Sequence, residues 1–360
     1  MSLPEFVRPW GARPLEQGGI DQAEGGNLRT MDVELAVREG TSKVDGNARF
    51  VARPALYISI VLGVVLAAYA YKLRTDGIFA CSAEGYTSDR YLAYCHAKGY
   101  GDYEHGAFWF GLEPSTQDFA RTATVLFLGN SRVQIALSTV ATSDWFSSAA
   151  ARYFLMGFGY DGNVVFEGAL LRKFKPQAKV YVINIERFFD QFESPPARTV
   201  MRDSSAGNQY ELKRIGQFAH EPSCKTIPLI CGSRYTIFRS RETGAYHLKG
   251  WGEFKKRAVS YDQTIDQAAA QNEADGAREF LSGLRVERDC VILTMIPYAG
   301  TKLGTANAIA NALGMNLVIP QLDGLQTFDG SHLDQTSAER WSGAFLKAAG
   351  PRIRKCLDRQ

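Results

Sequence analysis

A serine at the end of an apolar run is the first residue in this chain whose setting suggests chemistry. In "TVLFLGNSRVQIA" (124–136) the unbroken apolar stretch predicts a buried parallel strand, Gly129-Asn130 a turn, and the residues beyond them a helix. Ser131 thus stands at the carboxyl end of a strand, where ligands of open α/β sheets meet the chain. A serine there is as well suited to capping the helix as to attacking a substrate. A second stretch far along the chain, "FDGSHLDQTSAERWS", favours the nucleophile. It sets Asp329 and His332 three residues apart in a Gly-Ser loop before a helix, so one turn of backbone can bring acid and base to the same side. A hydroxyl becomes a competent nucleophile when a base takes its proton and an acid holds that base in the right tautomer. The other four of the five histidines fall elsewhere, His96 and His105 in one segment and His220 and His247 in another.

The elements that would position these residues alternate between strand and helix patterns, the signature of a parallel α/β sheet. After 124–129, strands are expected at 151–162, ending in a Gly-rich turn, at 178–189, at 290–298 and in "MNLVIPQL". Helices are expected in "NVVFEGALLRKFK", "YDQTIDQAAAQNEADGAREFLSGL", "TKLGTANAIANALG" and the segment after His332. Residues 191–250 read as a polar, irregular insertion. The aromatic-rich stretch 73–122 shows no clean period and reads as a cap or lead-in, its rings packing the cap or, alternatively, stacking on sugars.

A Gly-x-Ser after the first strand with an Asp-x-x-His after the last resembles the SGNH, or GDSL-type, hydrolase superfamily over about 120–350. The resemblance implies a three-layer α/β/α, flavodoxin-like sheet domain at 123–360, with Ser131 as nucleophile, Asp329 as orienting acid and His332 as base. It also implies an oxyanion hole from the Ser131 amide, a glycine of "MGFGYDGN" and a strand-end asparagine. Among Gly157, Gly159 and Gly162, the choice falls on Gly159 or Gly162; Asn184 in "INIERFFD" stands in the asparagine's place, without the family's preceding glycine or following aspartate. Asn130 replaces the usual aspartate before the nucleophile. Arg132 could bind an acidic sugar or pair with a strand-end acid such as Glu186, and Asp334 is suited to capping the last helix.

"PALYISIVLGVVLAAYAY" (54–71) carries no charge and is followed by Lys72 and Arg74, long enough for one transmembrane helix over 54–72. Residues 1–53 read as a mostly disordered, cytoplasmic tail with one short helix near Met31–Arg38. Arg49 and Arg53 balance Lys72 and Arg74, so positive charge sets no orientation. All six cysteines lie after the span, as expected if the C-terminal part folds in an oxidising compartment. Cys81 with Cys95 and Cys224 with Cys231 are the natural local pairs, leaving Cys290 with Cys356, though spacing does not fix connectivity.

The net charge of +3, from 41 basic and 38 acidic residues without a basic run, argues against nucleic acid as a partner. No zinc-site spacing occurs, and neither a metal nor a cofactor is expected. The family resemblance and the tether together imply a single-pass protein of a bacterial inner membrane with a periplasmic C-terminal domain. Its implied activity is acyl transfer to, or removal from, an exported polysaccharide or cell-wall glycan. Its implied partners are that glycan, an acyl donor and a membrane-bound O-acyltransferase. The alternative from another class is a non-catalytic assembly or glycan-binding protein on the same fold; a single-span receptor is weaker, since 1–53 holds no recognisable output domain.

Overall fold

The computed structural model describes residues 52–250 and 254–359, with side chains from Pro54 onward. The expected disordered tail and its short helix therefore lie outside the described residues, apart from Ala52 and Arg53. Those two open a helix of 24 residues, Ala52–Thr75, about 36 Å long at the usual α-helical rise. Its stretch Pro54–Thr75 has a mean hydropathy of 1.9, none of it is buried, and it is long and apolar enough to cross a membrane. Leu56, Tyr57, Ile60, Val64 and Tyr71 are all exposed, so this is not a core helix of the domain that follows.

The chain is mixed α/β. Strands β1 (Val125–Asn130), β2 (Tyr153–Phe158), β3 (Val180–Asn184) and β4 (Val291–Thr294) form one parallel sheet in the order β4-β3-β1-β2. Every residue of β1 is buried, as befits a strand paired on both edges and covered on both faces. Because side chains alternate along a strand, Leu126, Leu128, Phe154, Met156 and Ile183 join one core with Phe166, Leu170, Ala277 and Ile309. Val125, Phe127, Leu155, Val182 and Ile292 join another with Val133, Leu137, Trp341, Phe345 and Ile353.

Three expectations need correction. "MNLVIPQL" does not form a fifth strand: only Leu317 bridges Leu293, and the Val318 amide donates to the Leu293 carbonyl at 2.8 Å. Pro320, lacking an N–H, cannot extend that ladder. The stretch 73–122 is ordered, with a strand at Arg90–Cys95 and helices at Glu104–Phe110 and Pro114–Thr122. The insertion is ordered too, with helices Pro195–Arg202 and Ala206–Thr226 and strands Thr236–Ser240 and Tyr246–Lys249. The two segments meet in a second, antiparallel sheet, ordered Gly101–Asp102, Arg90–Cys95, Thr236–Ser240, Tyr246–Lys249. Its long-range pairings are invisible to local periodicity. The aromatic rings expected to pack a cap are inside: Tyr100, Tyr103 and Phe108 are buried.

Three disulfides join Cys81 to Cys95, Cys224 to Cys231 and Cys290 to Cys356. The last clamps the end of the helix Gln335–Leu357 to the start of β4. Replacing Cys290 and Cys356 with serine should lower stability by roughly 4 kcal/mol, the chain-entropy value for a loop of this length, read by thermal unfolding.

His220 is buried against Phe79 and Tyr86, with its Nδ1 3.1 Å from the Tyr86 hydroxyl. Burial pushes its imidazole from an ordinary 6.5 down to about 4. The unfolded chain therefore takes up a proton near pH 6.5 that the folded chain refuses until about pH 4. Stability should be unaffected above that window and fall through it as pH drops, by up to about 3 kcal/mol. A His220→Gln variant should show a shallower decline between those pH values.

Candidate active site

Ser131 sits where β1 hands over to the helix Ser131–Leu137. The turn needs glycine at position 129: its φ is +141°, and a Cβ there would lie 2.8 Å from Val133 Cγ2 and 2.9 Å from Asn184 Cβ. Asn130 is the cap, its side-chain oxygen accepting from the Arg132 amide at 3.0 Å. Capping by Asn130 leaves the Ser131 hydroxyl available.

Ser131 Oγ lies 2.8 Å from His332 Nε2, and His332 Nδ1 lies 2.7 Å from Asp329 Oδ2. The other oxygen of Asp329 accepts from the amides of Ser331 and His332, both at 2.8 Å. Burial alone would raise the Asp329 carboxyl, but hydrogen bonds from the His332 ring and these amides hold it below the ordinary carboxylate range. The Phe328 ring lies nearly parallel to His332, with centroids 5.6 Å apart. His332 and Asp329 are only 14% and 10% exposed. The sequence reading thus named three residues that the fold brings into one hydrogen-bonded chain. Asp334 caps the last helix, accepting from the Ser337 amide at 3.0 Å.

The remaining named residues are placed differently. Arg132 is not offered to a ligand: its guanidinium pairs with Glu186, donates to the Ser331 carbonyl at 3.0 Å and lies 4.2 Å from the centre of the Tyr298 ring. Asn184 is fully buried behind the turn. Its amide nitrogen faces Asn130 Oδ1 at 3.4 Å, and its oxygen accepts from the Ile296 amide at 3.0 Å. The Gly159 amide donates to Glu104 Oε1 at 2.9 Å, so in this conformation it is already occupied. Gly162 lies buried in the turn after β2, packed against Phe158, whose carbonyl a Cβ at 162 would approach to 2.7 Å. Of the proposed oxyanion donors, the Gly159 amide and the Asn184 side chain are engaged, while the Ser131 and Gly162 amides have no hydrogen-bond partner among the described residues.

Glu104 is the residue that sequence reasoning missed. Its carboxylate also receives Arg239 Nη1 at 2.9 Å and the Tyr246 hydroxyl, and both partners are buried. Arg239 in turn donates to the Leu155 carbonyl of β2 at 2.7 Å. No local pattern marks this cluster, because Glu104 and Arg239 are 135 residues apart. Close by, Asp102 and His105 repeat the Asp-x-x-His spacing at 2.8 Å. That pair is sealed against Phe158 and Phe166. Among the described residues, two groups of side chains come within metal-ligand range: Asp102, Glu104 and His105, and His220 with Cys224 and Cys231. In the first Arg239 already neutralises Glu104, and in the second the two sulfurs are bonded to each other.

No family model matches this chain, and no curated protein or solved structure does either. The fold and geometry define a serine–histidine–aspartate constellation at the carboxyl edge of a parallel α/β sheet.

The Arg132–Glu186 pair is 14% and 10% exposed. Arg132→Met should therefore cost about 3 kcal/mol by stranding Glu186, and Glu186→Gln less, since an amide can still accept from Arg132. Thermal unfolding of both variants measures the difference.

Proposed function

We propose that this chain is a membrane-anchored SGNH-type serine acyltransferase or esterase acting on O-acyl groups of an exported polysaccharide or cell-wall glycan. The observation that carries the reading is the Ser131–His332–Asp329 chain, with the hydroxyl, both ring nitrogens and the carboxylate in hydrogen-bond order. Helices packed over both faces of the parallel sheet support a three-layer arrangement of the SGNH kind. The apolar helix Pro54–Thr75 supports a single span. Three disulfides after that span support an oxidising compartment, the periplasm of a bacterium.

In the proposed reaction, His332 Nε2 takes the Ser131 proton as Oγ adds to the acyl carbonyl carbon of the donor. Asp329, ionised, stabilises the imidazolium through Nδ1. The oxyanion is met by the Ser131 amide, and a second donor follows if the Gly159 amide turns from Glu104 toward it. Collapse of the adduct expels the donor's leaving oxygen, which takes the proton back from His332 and leaves acyl-Ser131. A glycan hydroxyl, or water in an esterase, then repeats the sequence from the other side. The partners this implies are the glycan, the acyl donor and, for outward supply of acyl groups, a membrane-bound O-acyltransferase.

A non-catalytic assembly or glycan-binding role is the second reading, and one specific observation favours it: the Gly159 and Asn184 donors are engaged elsewhere. The full chain in detergent, given p-nitrophenyl acetate, separates the two. Under the enzymatic reading, Ser131→Ala lowers the rate by about 10³-fold or more, and wild-type protein carries an acetyl mass on Ser131. Equal rates for both proteins would leave only the binding reading.

A further inference from the structure

We infer that the helix Ala206–Thr226 and the turn after it form a lipid-docking face, lying on the surface of the bilayer that Pro54–Thr75 enters. The inference rests on the membrane-anchored reading above and adds a second contact to it.

Outside the apolar helix, the exposed large apolar side chains among the described residues are concentrated on this one segment. Leu212, Ile215 and Phe218 are 68%, 54% and 71% exposed, and Ile227 and Leu229 are 52% and 73% exposed. At 3.6 residues per turn, the first three fall on the side of the helix opposite the buried Tyr210, Gln217, His220 and Cys224. Exposed Ala219 and Pro222 lie on the same outward side. The nearest charges are neutralised locally, Arg214 by Glu211 and Lys225 by Glu221. Single exposed apolar residues need no explanation, but a stripe continued into an apolar turn marks a surface that meets something.

The position of the patch identifies what it meets. Arg74, in the last turn of the apolar helix, donates to the Leu229 carbonyl at 3.0 Å. Just beyond, Ile78 packs on the same helix, its Cδ1 3.8 Å from where a Cβ on Gly216 would stand. The apolar stripe therefore starts beside the point at which the spanning helix ends, at the level of the headgroups. The Cys224–Cys231 disulfide closes the loop that carries Ile227, Pro228 and Leu229, none of which is buried. The staple thus holds an apolar knuckle outward, ready for burial by something outside the fold. Helices with one apolar side lie in the interface with that side sunk about 5–10 Å into it, which suits this geometry.

The test is photo-crosslinking of the full chain in vesicles of phosphatidylethanolamine and phosphatidylglycerol. Benzoylphenylalanine is placed singly at positions 215, 218 and 229, at 64 within the apolar helix, and at 140. Val140 is 65% exposed but lies away from this segment in the chain. Mass spectrometry reads lipid adducts, and intact disulfides with an unchanged circular dichroism spectrum show that each variant is folded. The expected result is lipid adducts at 64, 215, 218 and 229, each several-fold above 140. Adducts at 64 but only background at 215, 218 and 229 would overturn the docking face and leave the anchor standing. Crosslinks from those three positions to protein would do the same. Absence of lipid at 64 would overturn the anchor and the docking face together.

Discussion

One guanidinium ties together the loops on which the site depends. Arg132 leaves the first turn of the helix after β1, pairs with Glu186 beyond β3, holds the Ser331 carbonyl in the histidine loop and lies over Tyr298 beyond β4. Parallel strands deliver their carboxyl ends to one edge, but their loops are otherwise independent, and a triad split between two loops tolerates little relative motion. A planar group with several fixed donors can satisfy a carboxylate and a carbonyl at once, which a lysine could not do with the same geometry. Ser131 and His332 are thereby held in register through the neighbour of each. Burial and the nearby Glu186 carboxylate push the Tyr298 phenol well above its ordinary value, so it stays neutral beside the ion pair.

A second buried charge, Glu104, joins the two sheets. It collects Arg239 and Tyr246 from the antiparallel sheet and the Gly159 amide from the turn after β2, while Arg239 reaches into β2 itself. An ion pair taken out of water is sustained only when its remaining lone pairs and protons are satisfied, and here nearly every one is. The segments 73–122 and 191–250 are therefore parts of the domain that set the Gly159 loop, next to the strand that carries Ser131. The Gly159 amide is held by this contact.

The disulfide-closed turn and the stripe of Leu212, Ile215 and Phe218 belong to the second of those segments, and Arg74 of the apolar helix meets that turn at the Leu229 carbonyl. The insertion thus has two faces with different work. Its strands and Arg239 reinforce the site, while its long helix turns an apolar side away from the domain at the place where the apolar helix ends.

Local pattern carried a good deal of this. The apolar run before Gly129-Asn130-Ser131, the Asp-x-x-His loop, the uncharged 54–71 and the near-neighbour cysteine pairs are all features of residue type and short spacing. They determined the central strand, the candidates Ser131, Asp329 and His332, one helix long and apolar enough to cross a membrane, and two disulfides. What the chain could not announce locally was decided by contacts between distant residues. Arg132 left two readings open, a ligand group or a partner for Glu186, until the fold placed Glu186 and Ser331 beside it. Asn184 and Gly159 read as oxyanion donors until Asn130, Ile296 and Glu104 claimed their polar atoms. The second sheet was missed because Arg90–Cys95 finds its partner strand only at Thr236–Ser240. Periodicity reports which face of an element is buried, but the partner of a polar group is set by whatever the fold brings within about 3 Å, and only the tertiary structure decides that.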